Sequence, residues 1–179
     1  MGLMNDMMDI IDTQENITED IVLDGIVLIY YNTGIISIIS ETVSYDSKLK
    51  LQLRKKYQTK AKICSRKQRN YKGKNSKYSR YYNFEASINN IKHYAVLALN
   101  RGEKEKVLSV SITVPDFIRS LPLSKYSSKI PPKNELNNKI IELCEKGIKK
   151  GFMSIHQSLA REIRTRLKKE AHERAADVF

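Results

Sequence analysis

The chain has 179 residues, enough for one domain of ordinary size or two small ones, and enough to bury a core. Its 32 Lys and Arg against 20 Asp and Glu leave a formal charge of +12, so polyanions are the expected partners. The longest apolar stretches, Ile26 to Tyr31 and Ile35 to Ile39, fall far below the roughly 20 residues that span a bilayer, which excludes a membrane span there.

Residues 1–20 read as an acidic arm, carrying Asp6, Asp9, Asp12, Glu15, Glu19 and Asp20 and no Lys or Arg. The plain reading of it is a frayed terminus; a short amphipathic turn or two, or a mobile tail that competes electrostatically with DNA, are the alternatives. The arm lacks the basic start and apolar run of a secretory signal, so a cytoplasmic location is expected. The two cysteines, Cys64 and Cys144, fit that compartment, because their spacing suits neither a disulfide framework nor a zinc site.

Residues 21–114 are rich in Val, Ile, Tyr and Thr and are punctuated by turn residues, which predicts a basic antiparallel β domain, a meander or small barrel. The expected strands are 21–31, 35–45, 48–63, 80–88, 91–100 and 105–114. Turns are expected at Asn32-Thr33-Gly34, Asn89-Asn90 and Arg101-Gly102-Glu103.

Between Ser47 and Arg80 stand fourteen basic residues and no acid, interleaved with Tyr57, Tyr71 and Tyr78 and followed by Tyr81 and Tyr82. Such a run suits phosphate binding, with Arg54, Lys55, Lys56, Arg66, Lys67, Arg69, Lys72 and Lys74 as candidate contacts. The plainer alternative is a solvated basic loop over packed tyrosines. Neither reading carries sequence specificity.

Residues 115–179 open with all four prolines, Pro115, Pro122, Pro131 and Pro132, and then show helical periodicity in two segments. The first, from about Pro132 to Lys150, lines up Leu136, Ile140, Leu143, Cys144 and Ile148, and Gly151 is its expected stop. The second is expected to open at Ser154, where Ser154 and Gln157 have the spacing of a capping box. Its stripe is Ile155, Leu159, Ile163 and Leu167. Removing the Ser154 hydroxyl would then cost about 1 kcal/mol.

This stretch, Lys125 to Pro131, then helix, Gly151 to Ser154, and Ile155 to Ile163, resembles the ribbon-helix-helix family of DNA-binding regulators, the group of Arc and MetJ. The resemblance implies an α+β chain whose C-terminal part is a helix pair behind a short strand shared between two subunits. Lys125, Ser127 and Lys129 would read bases in double-stranded DNA, and Ser154 and Ile155 would clamp a phosphate at a helix start. Tyr126, Ile130, Leu136, Ile140, Leu143, Ile155, Leu159 and Ile163 would form the core of a homodimer. A rival strand, Ser109 to Val114, alternates better, and a plain helical hairpin packed on the β domain is the structural alternative.

No catalytic constellation emerges among His93, His156, His172, the cysteines and the carboxylates, and no glycine-rich phosphate loop is present. No enzymatic, cofactor or metal role is therefore expected, and the resemblance implies a homodimeric, sequence-specific DNA-binding regulator of transcription, of the kind often found on plasmids and phages. Contact with RNA polymerase is not assigned. Two other classes stay open: an RNA- or single-strand-binding protein using the tyrosine-bearing basic domain, and a structural dimerisation adaptor.

Overall fold

The computed structural model describes residues 24–73, 76–130 and 138–176. The acidic arm, Lys74, Pro131, Pro132 and Leu136 lie outside the described residues. The chain is α+β and mostly helical, with one three-stranded antiparallel sheet among the described residues. No described helix is long and apolar enough to cross a membrane.

In chain order the elements are α1 (Asp24–Tyr45), α2 (Ser47–Lys60), β1 (Lys62–Lys67), a 3-10 turn (Ser79–Tyr81), β2 (Asn83–Ser87) and α3 (His93–Lys104). There follow β3 (Leu108–Thr113), the short helices α4 (Asp116–Arg119) and α5 (Leu121–Tyr126), a 3-10 turn (Ser127–Lys129) and the long α6 (Asn138–Ala176). Two compact units result, one of residues 1–50 and 119–155, the other of 51–118 and 156–179. They are not the contiguous blocks 21–114 and 115–179, because α2 and α6 each supply residues to both units.

In the first unit α1 occupies the region expected to hold two strands, and Asn32-Thr33-Gly34 is helical rather than a turn. β-Branched residues disfavour a helix only weakly, and packing overrides that preference. Ile39 and Val43, four residues apart, are buried on one face. Against them α6 brings Gly147 and Gly151. A Cβ on Gly151 would stand 2.7 Å from the Ser40 carbonyl oxygen, and one on Gly147 would stand 2.7 Å from the Ile39 Cβ. Gly151 is therefore a place of close helix approach, not a stop, and α6 runs through it unbroken.

In the second unit β1 is central, in the order β2-β1-β3. Ile63 pairs with Ala86 and Ile112, and Ser65 with Phe84 and Val110, on one face; Lys62, Cys64 and Arg66 alternate to the other. The first face lies on a core that includes Leu53, Tyr57, Leu99, Leu108, Ile118, Leu159 and Ile163. Of the expected strands, 80–88 and 105–114 contain β2 and β3. The segment 48–63 is helix as far as Lys60, and 91–100 falls mostly in α3, so neither a six-stranded meander nor a barrel forms.

The expected ribbon is also absent. Residues 125–130 are the end of α5 and a 3-10 turn, in which Lys125, Ser127 and Lys129 do not share one face as they would on a strand. Ser154 lies within α6, where its amide belongs to the helical ladder, so there is no capping box and no helix start to hold a phosphate. The same holds for Ile155, which is also buried.

Candidate nucleic-acid interface

The basic run is divided between helix and sheet. On α2, Leu49, Leu53 and Tyr57 recur every fourth residue and are buried, leaving Lys55, Lys56 and Lys60 in solvent. Arg54 is the exception among the expected phosphate contacts on α2. It is half-buried, and its Nη2 donates to Glu162 Oε2 at 2.9 Å. Tyr57, also expected near the interface, is buried, with its hydroxyl 2.7 Å from His156 Nδ1.

On β1, Arg66 projects from the face opposite the core, level with Asn83 of β2 and Ser109 of β3. Lys62 on that same face is bound to Glu85 at 2.6 Å. The hydrogen bond and the opposite charge raise the lysine pKa and lower that of the carboxylate. Lys67 closes the strand. Its ammonium donates to the Gly73 carbonyl at 3.0 Å and lies 5.6 Å from the ring centroids of both Tyr71 and Tyr82. Arg69 and Lys72 are exposed in the loop that follows, and Lys74 lies outside the described residues.

Three acids meet cations of this run in the second unit: Glu162 at Arg54, Glu85 at Lys62 and Glu105 at Lys77. Lys55, Lys56, Lys60, Arg66, Lys67, Arg69, Lys72 and Arg80 are in no ion pair among the described residues. A set of fixed cations without local countercharge attracts a flexible polyanion, and its helix, strand and loop placement imposes no straight duplex geometry.

The residues expected to read bases do other work in the first unit. Lys125 donates to Asp46 Oδ2, and the Tyr126 hydroxyl donates to the same oxygen at 2.7 Å. Burial raises the Asp46 pKa, but these bonds, the Leu49 amide and the Lys125 charge outweigh it and bring the carboxyl down to about 2. Burial, and then the bond to Asp46, push the Tyr126 hydroxyl up. Ser127 and Lys129 are exposed, and Lys129 stands 5.5 Å from the Tyr126 ring.

Five of the eight expected dimer-core residues are buried within one chain. Tyr126, Leu143 and Ile155 are buried in the first unit, and Leu159 and Ile163 in the second. Ile130 and Ile140 are half-buried. Side chains already withdrawn from water give no drive for a second subunit to cover them. Among the described residues no three His, Cys, Asp or Glu gather as metal ligands.

Reading 91–100 as a strand hid Lys92 and Tyr94 at the start of α3. The signal that reveals them is the spacing of Ile91, Ala95, Val96 and Leu99, all buried and helical in period. A second feature unseen in the sequence is the fork of Arg164, whose Nη1 donates to Glu103 Oε1 at 2.8 Å and to the Val110 carbonyl at 3.3 Å. It ties α6 to α3 and β3.

Residues 33–179 match the family described as Tex central region-like. Over 104 residues the chain is 35% identical to the Bacillus subtilis (strain 168) protein called uncharacterized protein YdcI, covering 57% of this chain and 14% of that one. Over 106 residues it is 28% identical to the S1 RNA-binding domain-containing protein 1 of Pongo abelii and 26% identical to that of Homo sapiens. Each of these matches covers 58% of this chain and 11% of the relative. The chain thus spans between a tenth and a seventh of the length of these relatives. The family match includes residues 125–163, the stretch that resembles ribbon-helix-helix proteins, and it replaces that assignment.

Proposed function

Since the chain belongs to the Tex central region-like family, we propose that it is a non-catalytic RNA-binding segment that holds single-stranded RNA on the second unit. The observation that carries this reading is the set of cations on α2, β1 and the loop after β1 that lack acidic partners among the described residues. Relatives named for an RNA-binding domain favour RNA as the polyanion. The reading as a duplex-DNA transcription regulator is withdrawn. Its ribbon is helical, its phosphate clamp lies mid-helix, and the comparisons point to RNA.

A flexible strand bends to follow phosphate-binding groups on a helix, a strand and a loop, whereas a duplex presents phosphates on a stiff cylinder. Exposed cations of this kind act over a Debye length of about 8 Å at physiological salt, so affinity is strongly salt-dependent. A cytoplasmic site of action belongs to the same proposal.

Competition binding tests it. With a labelled single-stranded RNA bound to the chain, unlabelled RNA of the same sequence is expected to displace the label at lower concentration than duplex DNA of equal length. Displacement by duplex DNA at equal or lower concentration overturns the reading.

A further inference from the structure

In the second unit a cavity of about 270 Å³ is lined by residues of the Ser79–Tyr81 turn, β2 and the start of α3. That is just below the roughly 300–1,000 Å³ typical of drug-sized ligands, and it suits one flat heteroaromatic ring. Its aromatic lining is Tyr81, Phe84 and Tyr94. The Tyr81 and Phe84 rings pack edge to face, with centroids 5.3 Å apart at 68°, which fixes their orientation. Tyr94 is 68% exposed, so a large aromatic side chain at the cavity is left facing water.

The polar lining is cationic. Arg80 and Lys92 are exposed and in no ion pair among the described residues, and no carboxylate lines the cavity. Asn90 adds an amide with both donors and an acceptor. Aromatic faces beside unpaired cations, without a competing acid, fit a ligand that alternates flat rings with negative charge. A single-stranded nucleic acid has that repeat.

We propose that this cavity takes one base of a single-stranded RNA, stacked on Tyr94 and Phe84, with the flanking phosphates against Arg80 and Lys92. The inference rests on the RNA-binding reading and adds a place where a base, rather than the backbone alone, is held. Stacking accepts any base, so the site contributes affinity and strand-state selection more than sequence choice. A paired base cannot enter without leaving its duplex, and this excludes double-stranded competitors.

The test compares a fluorescent oligouridine with an abasic strand of the same sugar-phosphate length, each titrated against the full chain. Wild type is expected to bind the uridine strand more tightly. Tyr94→Ala is expected to lose about five- to tenfold on that strand and nothing on the abasic one, and Tyr94→Phe to keep the wild-type ratio. Arg80→Ala and Lys92→Ala are expected to weaken both strands. Crosslinking 4-thiouridine RNA to the unmodified chain, with the attachment mapped by mass spectrometry, checks the site without a substitution and is expected to mark Tyr81, Phe84 or Tyr94.

An unchanged ratio in Tyr94→Ala, equal binding of the two strands by wild type, or crosslinks confined to other segments overturns the cavity proposal while leaving RNA binding intact. Failure of wild type to bind either strand overturns the RNA reading and the cavity with it.

Discussion

Asp46 sits between α1 and α2 and collects donors from three places. Its Oδ1 accepts the Leu49 amide at 2.9 Å, which caps α2, and its Oδ2 accepts Lys125 and the Tyr126 hydroxyl. Asp46→Ala therefore removes a cap and leaves the hydroxyl of a buried tyrosine unpaired, for an expected loss of about 2 kcal/mol. Asp46→Asn keeps an acceptor but loses the charge, and it should cost less. Because the carboxyl pKa is lowered on folding, its contribution is full above the ordinary aspartate range, roughly pH 4, and is lost as pH falls through about 2. Urea melts of wild type and Asp46→Asn should show a stability gap that is constant near neutrality and closes across that window. A gap that does not change with pH would remove the charge from the account.

Ser154 shows the opposite case at the same scale. The spacing of Ser154 and Gln157 suits a helix start, and a hydroxyl there would be worth about 1 kcal/mol. The serine is instead exposed in the interior of α6. Ser154→Ala is therefore expected to leave stability unchanged or raise it by a few tenths of a kcal/mol, alanine being the better helix former. A thermal melt that falls by several degrees would mean that the helix does start there.

At the scale of elements, the short stretches that were misread share an ambiguity of period. Leu49, Leu51 and Leu53 alternate with Lys48, Lys50 and Gln52 as a strand would. Only the continuation to Tyr57 and Ala61 at four-residue spacing identifies a helix, and the outcome is visible in Leu51, 52% exposed while Leu49 and Leu53 are buried. β3 was legible because Leu108, Val110 and Ile112 alternate with Ser109 and Ser111 and nothing in a helical period competes. The buried stripes of α6 were legible in turn because no strand period competes with their three- and four-residue spacing, but Gly151 divided them, because a glycine that ends a helix and one that admits a neighbour look alike in sequence. The two kinds part under substitution. Gly34, with nothing within 4 Å of its Cβ position, should gain up to about 1 kcal/mol as alanine. Gly151→Ala, which drives a methyl into the Ser40 carbonyl and Val43, should lose about 1–3 kcal/mol despite the better helix propensity. Chemical denaturation of the two variants side by side checks the sign of each.

At the scale of the molecule, each compact unit is built from two separated segments, and a contact between distant segments leaves no mark in local composition. The charge asymmetry survived the change of fold. The cations of residues 48–80 read as one basic region, and most of the described ones are exposed whether their backbone is strand or helix, because a long charged side chain finds water from either. The mode of recognition expected from the sequence, a duplex read by a ribbon, was not legible through them, since the backbone forms no ribbon and the comparisons favour RNA over duplex DNA. The cations make a quantitative prediction. On a single strand each phosphate neutralised contributes about 0.7 to the slope of log affinity against log salt. Replacing Lys55 and Lys56 together with alanine should therefore lower that slope by about 1.4 if each holds one phosphate, and should weaken uridine and abasic strands in the same proportion. Arg54→Ala should change the slope little, because Arg54 already faces Glu162, and should act instead on stability. Measured slopes that fall equally for Arg54 and for the lysines would show that ion pairing within the chain does not decide which cations face the RNA.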